Sequence, residues 1–256
     1  MMPDGQPPTA CVLIIGNEIL SGRTQDTNLG YIGQRCDALG IRLTEARVIS
    51  DDETAIITHL NECRARFTYV FTTGGIGPTH DDITSATVAK AFGVALCRNA
   101  DAVAALERYY EPGMLNEARL RMANVPAGAR LIDNPVSGAP GFQLQNVFVL
   151  PGVPLIMQAM FEGIVDRLAG GPEILTASVT TDVLEGAMAK ELGVIQDQFP
   201  DVSIGSYPWF RHGALGVNLV LRGTAAGRIT TARGAIENMI ARLGGHVLRV
   251  AERNGE

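Results

Sequence analysis

An alternation of short apolar runs with helical stretches over residues 10–92 is the feature that most constrains the fold of this chain. The first run, "ACVLIIG" (Ala10–Gly16), is apolar throughout, which is typical of a strand buried on both faces of a sheet. "IRLTEARVI" (Ile41–Ile49) and "TYVFTT" (68–73) predict the second and third strands. Such strand–helix repeats predict a three-layer α/β fold, with helices on both faces of a mostly parallel sheet and right-handed crossovers.

Helices are predicted between these strands and after them. Apolar residues at helical spacing, together with a closing Gly40, predict a helix over Asn28–Leu39. Asp51 or Asp52 caps the next helix, which runs to about Arg66. Later in the chain, "NVFVLPGVP" predicts another strand, and "ARLIDNPVSGAPGF" predicts irregular structure. The other predicted helices cover 83–92, 101–110, 116–123 and 153–168, which sets the first domain at residues 10–168.

The order of elements changes after a candidate linker, "AGGPE" (169–173). Beyond it the pattern spells β-α-β-β-α-β, the split βαβ arrangement of a small α+β domain. We therefore predict a second domain over residues 174–250. Its predicted strands cover 174–181, 202–207, 216–222 and a short segment near Val247, and its predicted helices cover 184–198 and 224–243.

Charge and cysteine usage narrow the classes of function. The 256 residues carry a formal net charge of −6, which argues against a nucleic-acid binder that relies on a basic surface. Four widely spaced cysteines form no C-x-x-C pair and are typical of reduced core residues. The N-terminal residues lack a signal-peptide pattern, and the apolar runs are too short to span a membrane. We expect a cytoplasmic protein without a membrane partner.

Four polar loops follow predicted strands, where ligands bind in open parallel sheets. They are "GNEILSGRTQDTN" (Gly16–Asn28), "SDDE" (Ser50–Glu53), "GGIGPTHDDIT" (74–84) and "PGVP" (Pro151–Pro154). In the third loop the glycines permit positive φ and close approach of a ligand, and a helix start of this kind favours anions. Two adjacent carboxylates in the same turn would nevertheless repel an anion.

Ordinary structural roles remain open for most of these residues. One acid of the third loop can cap the following helix. A single cap does not explain why four polar side chains lie in this one turn, namely Thr79, Asp81, Asp82 and Thr84. Glu18 can be a solvated loop residue, and the acids of the first two loops can be helix caps. His80 and His212 lie in predicted loops, where a histidine is more often without a function. The aromatic segment "GSYPWF" (Gly205–Phe210) suits either a flat ring ligand or an interface.

At these residues the chain resembles the molybdopterin-binding domain family. The resemblance rests on "GNEILSG…QDTN", "TTGGIGPTHDDIT", "NPVSGAPGF" and "LPGVP", and it covers about Ala10 to Leu168. Within the family the chain is similar to the competence/damage-inducible protein A branch, and closer still to the N-terminal domain of eukaryotic FAD synthases. "GSYP" and "GVNLVLRG" extend the resemblance through the second domain.

The resemblance implies several activities. Family members bind or adenylylate molybdopterin, hydrolyse ADP-ribose-like nucleotides with a metal, or hydrolyse FAD to FMN and AMP. The resemblance also implies a homo-oligomer. Because no amidohydrolase or adenylyltransferase sequence follows residue 250, we expect neither deamidation of nicotinamide mononucleotide nor FAD synthesis. The main alternatives to hydrolysis are a molybdopterin-binding or adenylylating protein and a non-catalytic nucleotide-binding module.

A divalent cation, Mg²⁺, Mn²⁺ or Co²⁺, would reconcile the acids with a diphosphate ligand. On this hypothesis Asp81 and Asp82 bind the metal, and Glu18 or Asp51 is a further ligand or the base that orients water. N–H groups after Gly74 and Gly75 hold phosphate, and Thr79 and Thr84 offer hydroxyls. The predicted ligand-binding set is completed by Gly77, Pro78, Gly16, Asp26, Asn28, Asn134 and Gly152.

Overall fold

The computed structural model describes residues 7–211 and 213–253, so His212 lies outside the described residues. The chain divides into a larger unit, Met1–Cys36 with Gly40–Gly171, and a smaller unit, Asp37–Leu39 with Pro172–Glu256. The strands of the larger unit, in chain order, are β1 (Thr9–Ile15), β2 (Arg42–Ile49), β3 (Tyr69–Thr73), β4 (Leu96–Arg98), β5 (Asn124–Pro126), β6 (Arg130–Ile132), β7 (Gly141–Leu144) and β8 (Val147–Leu150).

Six of these strands form one sheet in the order β2-β1-β3-β8-β7-β6, and β4 pairs with β5 separately. The pairs β1–β2, β1–β3 and β3–β8 are parallel, whereas β7 pairs antiparallel with β6 and β8. The helices are α1 (Asn17–Leu20), α2 (Asn28–Ala38), α3 (Glu53–Arg66), α4 (Thr84–Phe92), α5 (Ala100–Tyr109), α6 (Glu117–Leu120) and α7 (Pro154–Glu162).

Both faces of the sheet are buried. On one face, Leu13 belongs to an apolar cluster with residues of α3 and α4 such as Leu60 and Val88. On the other face, the Phe71 ring lies 5.5 Å from the Phe148 ring and 5.2 Å from the Phe161 ring of α7. The predicted mostly parallel α/β fold is confirmed. A strand that is apolar throughout, such as β1, lies in the interior of the sheet, where both of its faces are buried.

The smaller unit contains β9 (Leu175–Thr181), α8 (Glu185–Gln198), β10 (Ser203–Arg211), β11 (Ala214–Gly223), α9 (Ala226–Arg242) and β12 (Val247–Arg253). Its four strands form an antiparallel sheet in the order β10-β11-β9-β12, and the predicted α+β class is confirmed. The "GSYPWF" segment lies on the edge strand β10, where Tyr207 and Phe210 are exposed.

The structure differs from the sequence prediction in the short elements of the larger unit. The segment predicted to be irregular contains β6 and β7, and neither β4 nor β5 was predicted. The helix predicted over 153–168 ends at Glu162 and is followed by a 3-10 turn at Val165–Arg167. The helix predicted over 116–123 is likewise a single turn of α-helix followed by a 3-10 turn at Arg121–Ala123. No helix in the described part of the chain is long and apolar enough to cross a membrane.

Replacing Phe71 with alanine should destabilise the larger unit by about 3–5 kcal/mol, because the ring is fully buried among three other aromatic rings. Urea unfolding followed by circular dichroism measures the change. Phe210→Ala is the control, since this ring is 69% exposed and its loss should cost less than about 0.5 kcal/mol. Equal effects of the two substitutions would contradict the assignment of the core.

Candidate functional site

A cavity of the larger unit lies beyond the carboxyl ends of β1, β3 and β8. Its volume is about 620 Å³. The loops after β1, β2, β3 and β8 all contribute to its wall, as expected for strands that end at the same edge of a sheet. The structure brings together most of the predicted site residues here: Gly16, Glu18, Asp51, Gly74, Gly75, Gly77, Pro78, Asp81, Asp82, Asn134 and Gly152.

The turn after β3 requires glycine at two positions. Gly74 has φ +106°, and a Cβ there would lie 2.2 Å from the backbone oxygen of Ile15. Gly75 has φ +68°, and its Cβ would lie 2.2 Å from Oγ1 of Thr84. Thr84 is buried beneath the turn, where its hydroxyl donates to Gly74 O at 3.1 Å and its N–H donates to Gly75 O at 3.0 Å. Thr84 therefore holds the turn from its buried side and does not line the cavity.

Thr79 links the two adjacent carboxylates of this loop. Its Oγ1 lies 2.6 Å from Asp81 Oδ1 and 2.5 Å from Asp82 Oδ2, and its N–H donates to Asp82 Oδ2 at 2.8 Å. A hydroxyl has one proton and can donate to only one of the two oxygens at a time. The hydrogen bond from Thr79 lowers the pKa of Asp81, so this exposed carboxyl stays ionised at neutral pH.

Asp51 and Asp52 have different roles despite their adjacency. Asp52 is the N-cap of α3 and accepts a hydrogen bond from the Ala55 N–H at 3.0 Å. Asp51 is thereby left to line the cavity, where its carboxylate accepts a hydrogen bond from the Asn17 side chain. Glu18 also lies on the cavity wall and folds back over Gly16, where a Cβ would meet its carboxylate at 2.6 Å.

Asp26 and Asn28 lie beside the main cavity, around a smaller space of about 60 Å³ that also touches Glu18 and Gly152. Asp26 accepts a hydrogen bond from the Leu29 N–H at 2.9 Å, so it caps the start of α2, which is the structural role that the sequence had left open. Asn28 is buried and donates to Gly152 O at 2.8 Å, so it joins the first loop to the loop after β8. Both residues position the loops around the cavity.

Asn134 organises its own loop. Its carbonyl accepts hydrogen bonds from the Val136 and Ser137 N–H groups, and its amide donates to Ser137 Oγ and Ala139 O. All of its hydrogen-bonding capacity is used within the "NPVSGA" segment, so it shapes the wall and has no donor left for a ligand. Sequence reasoning missed Ser137, Thr24 and Met122, which also line the cavity. The same Asn-Pro motif could have pointed to Ser137.

The cavity wall is acidic. Among the residues that the structure describes, the lining includes Glu18, Asp51, Asp81 and Asp82 but no lysine or arginine. Among the described residues, these acids do not bring three ligand atoms within 4.8 Å of one another. One or two carboxylates are enough for Mg²⁺ when phosphate and water supply the remaining ligands. The arrangement therefore fits a cation that binds together with an anionic ligand.

The chain matches two family models. The model described as "Probable molybdopterin binding domain" matches residues 11–170, and the model described as "FAD synthase, middle domain" matches residues 173–244. These matches correspond closely to the two structural units.

Similar proteins come from archaea, bacteria and an animal. A crystal structure of CinA from Thermoplasma acidophilum superposes with a TM-score of 0.60 at 35% identity, covering 62% of this chain and 97% of that one. A CinA-like protein of Citrifermentans bemidjiense is 37% identical over 84% of this chain and 53% of its own length. A probable FAD synthase of Caenorhabditis briggsae is 28% identical over 96% of this chain and 52% of its own length.

This chain thus spans about half the length of the CinA-like protein and the probable FAD synthase. The matched family model covers more than half of the chain, and the cavity is built from the segments that it matches. The chain therefore belongs to the molybdopterin-binding domain family.

Proposed function

We propose that this protein hydrolyses the pyrophosphate bond of a dinucleotide, such as FAD or ADP-ribose, in a reaction that depends on a divalent metal. The observation that carries the proposal is the cavity wall, where the described residues present four carboxylates and no basic side chain beside a glycine turn. A diphosphate can enter such a cavity only when a cation neutralises the repulsion between the two sets of negative charge. The chain itself supplies the ligands for that cation.

The glycine turn would hold phosphate. Because Gly74 and Gly75 lack side chains and have positive φ, their backbone can approach a ligand closely. Gly75 contacts Thr84, the first residue of α4, where the helix dipole favours negative charge. The turn would therefore offer an anion-binding surface in the same loop as the acids.

Asp81 and Asp82 would bind the metal, since they belong to one short turn and face the cavity. A bound metal would neutralise charge and polarise the phosphoryl group. Glu18 and Asp51 follow β1 and β2 on the wall of the same cavity and would accept a proton from an attacking water. Phosphoryl transfer needs mainly positioning and charge neutralisation, so the chemistry requires no nucleophilic side chain.

The apolar part of the wall suits a ring. Ile76, Met122 and Ile156 line the cavity together with Pro78 and Val153. Ligand sites commonly combine an apolar wall with a few polar groups that fix orientation. A pterin would fit the same wall, so a molybdopterin-binding protein is the alternative that experiments must separate.

Substrate and metal can be tested together. FAD and ADP-ribose are incubated with the purified protein and Mg²⁺, Mn²⁺ or Co²⁺, and AMP is measured by chromatography. We expect AMP with at least one metal and none after addition of EDTA. Release that persists in EDTA would refute the metal-dependent reaction, whereas tight pterin binding without AMP release would favour the molybdopterin-binding alternative.

Asp82→Asn should lower AMP release by about 100-fold or more, because a positioned charge is lost while the shape of the side chain is kept. Asp52→Asn is the matched control, since this neighbouring acid caps α3 and asparagine also caps helices well. The control should keep its activity and its thermal stability. Equal activity of the two variants would remove Asp82 from the proposed site.

Gly75→Ala should weaken nucleotide binding, because its Cβ collides with Thr84 Oγ1 and the turn must shift. Gly93→Ala is the control for backbone strain alone, since Gly93 has φ +67° and open space around it. Alanine at such a φ costs about 1–2 kcal/mol. In the presence of metal, calorimetric titration with the α,β-methylene analogue of ADP-ribose, which cannot be hydrolysed, should show weaker binding for Gly75→Ala only. Weakening by both variants would indicate a global effect.

A further inference from the structure

Two buried thiols lie in contact in the larger unit, away from the cavity. Cys11 is the third residue of β1, and Cys63 lies in the last turn of α3. Their Sγ atoms are 3.4 Å apart, and neither residue is exposed. The cavity borders the opposite end of β1, at Ile15. The proposed hydrolysis therefore makes no use of this pair.

Charged side chains surround the pair at the edge of the sheet. Glu45 of β2 pairs with Cys11 in the sheet register, and a carboxylate oxygen of Glu45 lies within 4.8 Å of both sulfurs. Glu45 forms ion pairs with Arg47 at 2.6 Å and with Arg66 at 3.1 Å. The Glu45 side chain is 26% exposed, so it extends from the buried sulfurs to the protein surface.

This environment shifts the pKa values of the two thiols in opposite directions. The hydrogen bond from Cys11 lowers the pKa of Cys63 despite burial, and the charge of Arg47 acts in the same direction. The hydrogen bond to Cys63, together with burial, raises the pKa of Cys11. Cys63 is thus the more acidic thiol of the pair, and Cys11 is the donor in the contact between the two sulfurs. A thiolate in contact with a second thiol is the arrangement from which disulfides form.

We propose that Cys11 and Cys63 form a redox modification site, which hydroperoxides convert reversibly into an intramolecular disulfide. The Cys63 thiolate attacks one peroxide oxygen, the O–O bond breaks, and the leaving oxygen takes up a proton to become water or an alcohol. The resulting sulfenic acid is attacked by Cys11 sulfur. The S–S bond forms, and the sulfenic oxygen leaves as water with the Cys11 proton. Each sulfur loses one electron and each peroxide oxygen gains one.

A zinc site at the same residues is the competing assignment. Cys11, Glu45 and Cys63 form the one group of three such ligand atoms within 4.8 Å among the described residues. The Glu45 oxygens, however, already contact Arg47 and Arg66, which leaves two sulfurs free to bind a metal. Protein zinc sites use three or four side-chain ligands. The contacts therefore favour oxidation over metal binding.

Disulfide mapping tests the proposal without reference to nucleotide hydrolysis. The protein with Cys97→Ser, which removes the exposed thiol, is incubated with EDTA and hydrogen peroxide, alkylated and digested without reductant. Mass spectrometry should find a peptide pair joined through Cys11 and Cys63, and dithiothreitol should reverse the link. Since the bond closes a loop of about 50 residues, the midpoint of thermal unfolding should rise by about 5–10 °C.

Two substitutions in the same background complete the experiment. Cys63→Ser should abolish both the link and the rise in midpoint, whereas Cys36→Ser, at another buried cysteine, should preserve both. The proposal fails if Cys11 and Cys63 stay reduced at peroxide doses that fully oxidise Cys97 in the unsubstituted protein. It also fails if the two sulfurs convert to sulfonic acids without forming the link. Mapping on the unsubstituted protein decides the outcome even if Cys63→Ser does not fold.

Discussion

The close approach of the β3 turn to the end of β1 is the constraint on which the site depends. At Gly74 a single added carbon would lie 2.2 Å from the backbone oxygen of Ile15, so the two strand ends can meet only through glycine. The approach is held from below by Thr84, which bonds to the oxygens of both Gly74 and Gly75. The acids that follow in the same loop are placed by this contact. The site is consequently anchored to the central strands of the sheet.

Charge decides what the site can accept. In the described part of the chain the cavity is lined by four carboxylates and no basic side chain, which repels a diphosphate, while the glycine turn and the start of α4 attract one. The conflict disappears if a divalent cation and the nucleotide bind together. The cavity has an apolar wall beside this polar end. Ligands that carry a flat ring and phosphates likewise have one apolar part and one charged part. Both FAD and molybdopterin fit this description, which is why fold and family alone do not assign the reaction.

The sequence predicted the parallel part of the sheet because β1 carries an unbroken apolar run, β3 consists of aromatic and β-branched residues, and glycine follows each strand. It missed β4 to β7, since strands of three or four residues are too short to show a periodic pattern. It also identified the residues that converge on the cavity but could not separate their roles. Asp51 and Asp52 are equivalent in sequence, and only the bond from Ala55 shows that Asp52 is the cap. Likewise, the partners of Asn134 and Thr84 become visible only once the turns are folded.

We propose that nucleotide and cation depend on each other for binding. The α,β-methylene analogue of ADP-ribose has no P–O–P bond to hydrolyse, so its calorimetric titration into the metal-free protein, and then into protein with saturating Mn²⁺, measures this coupling directly. Thermodynamic linkage requires the reciprocal experiment, titration of Mn²⁺ with and without the analogue, to give the same factor. We predict that each ligand binds at least about tenfold more tightly in the presence of the other, which corresponds to about 1.4 kcal/mol of coupling. An analogue affinity that is the same with and without Mn²⁺ would show that cation and nucleotide bind independently and would contradict the proposed site.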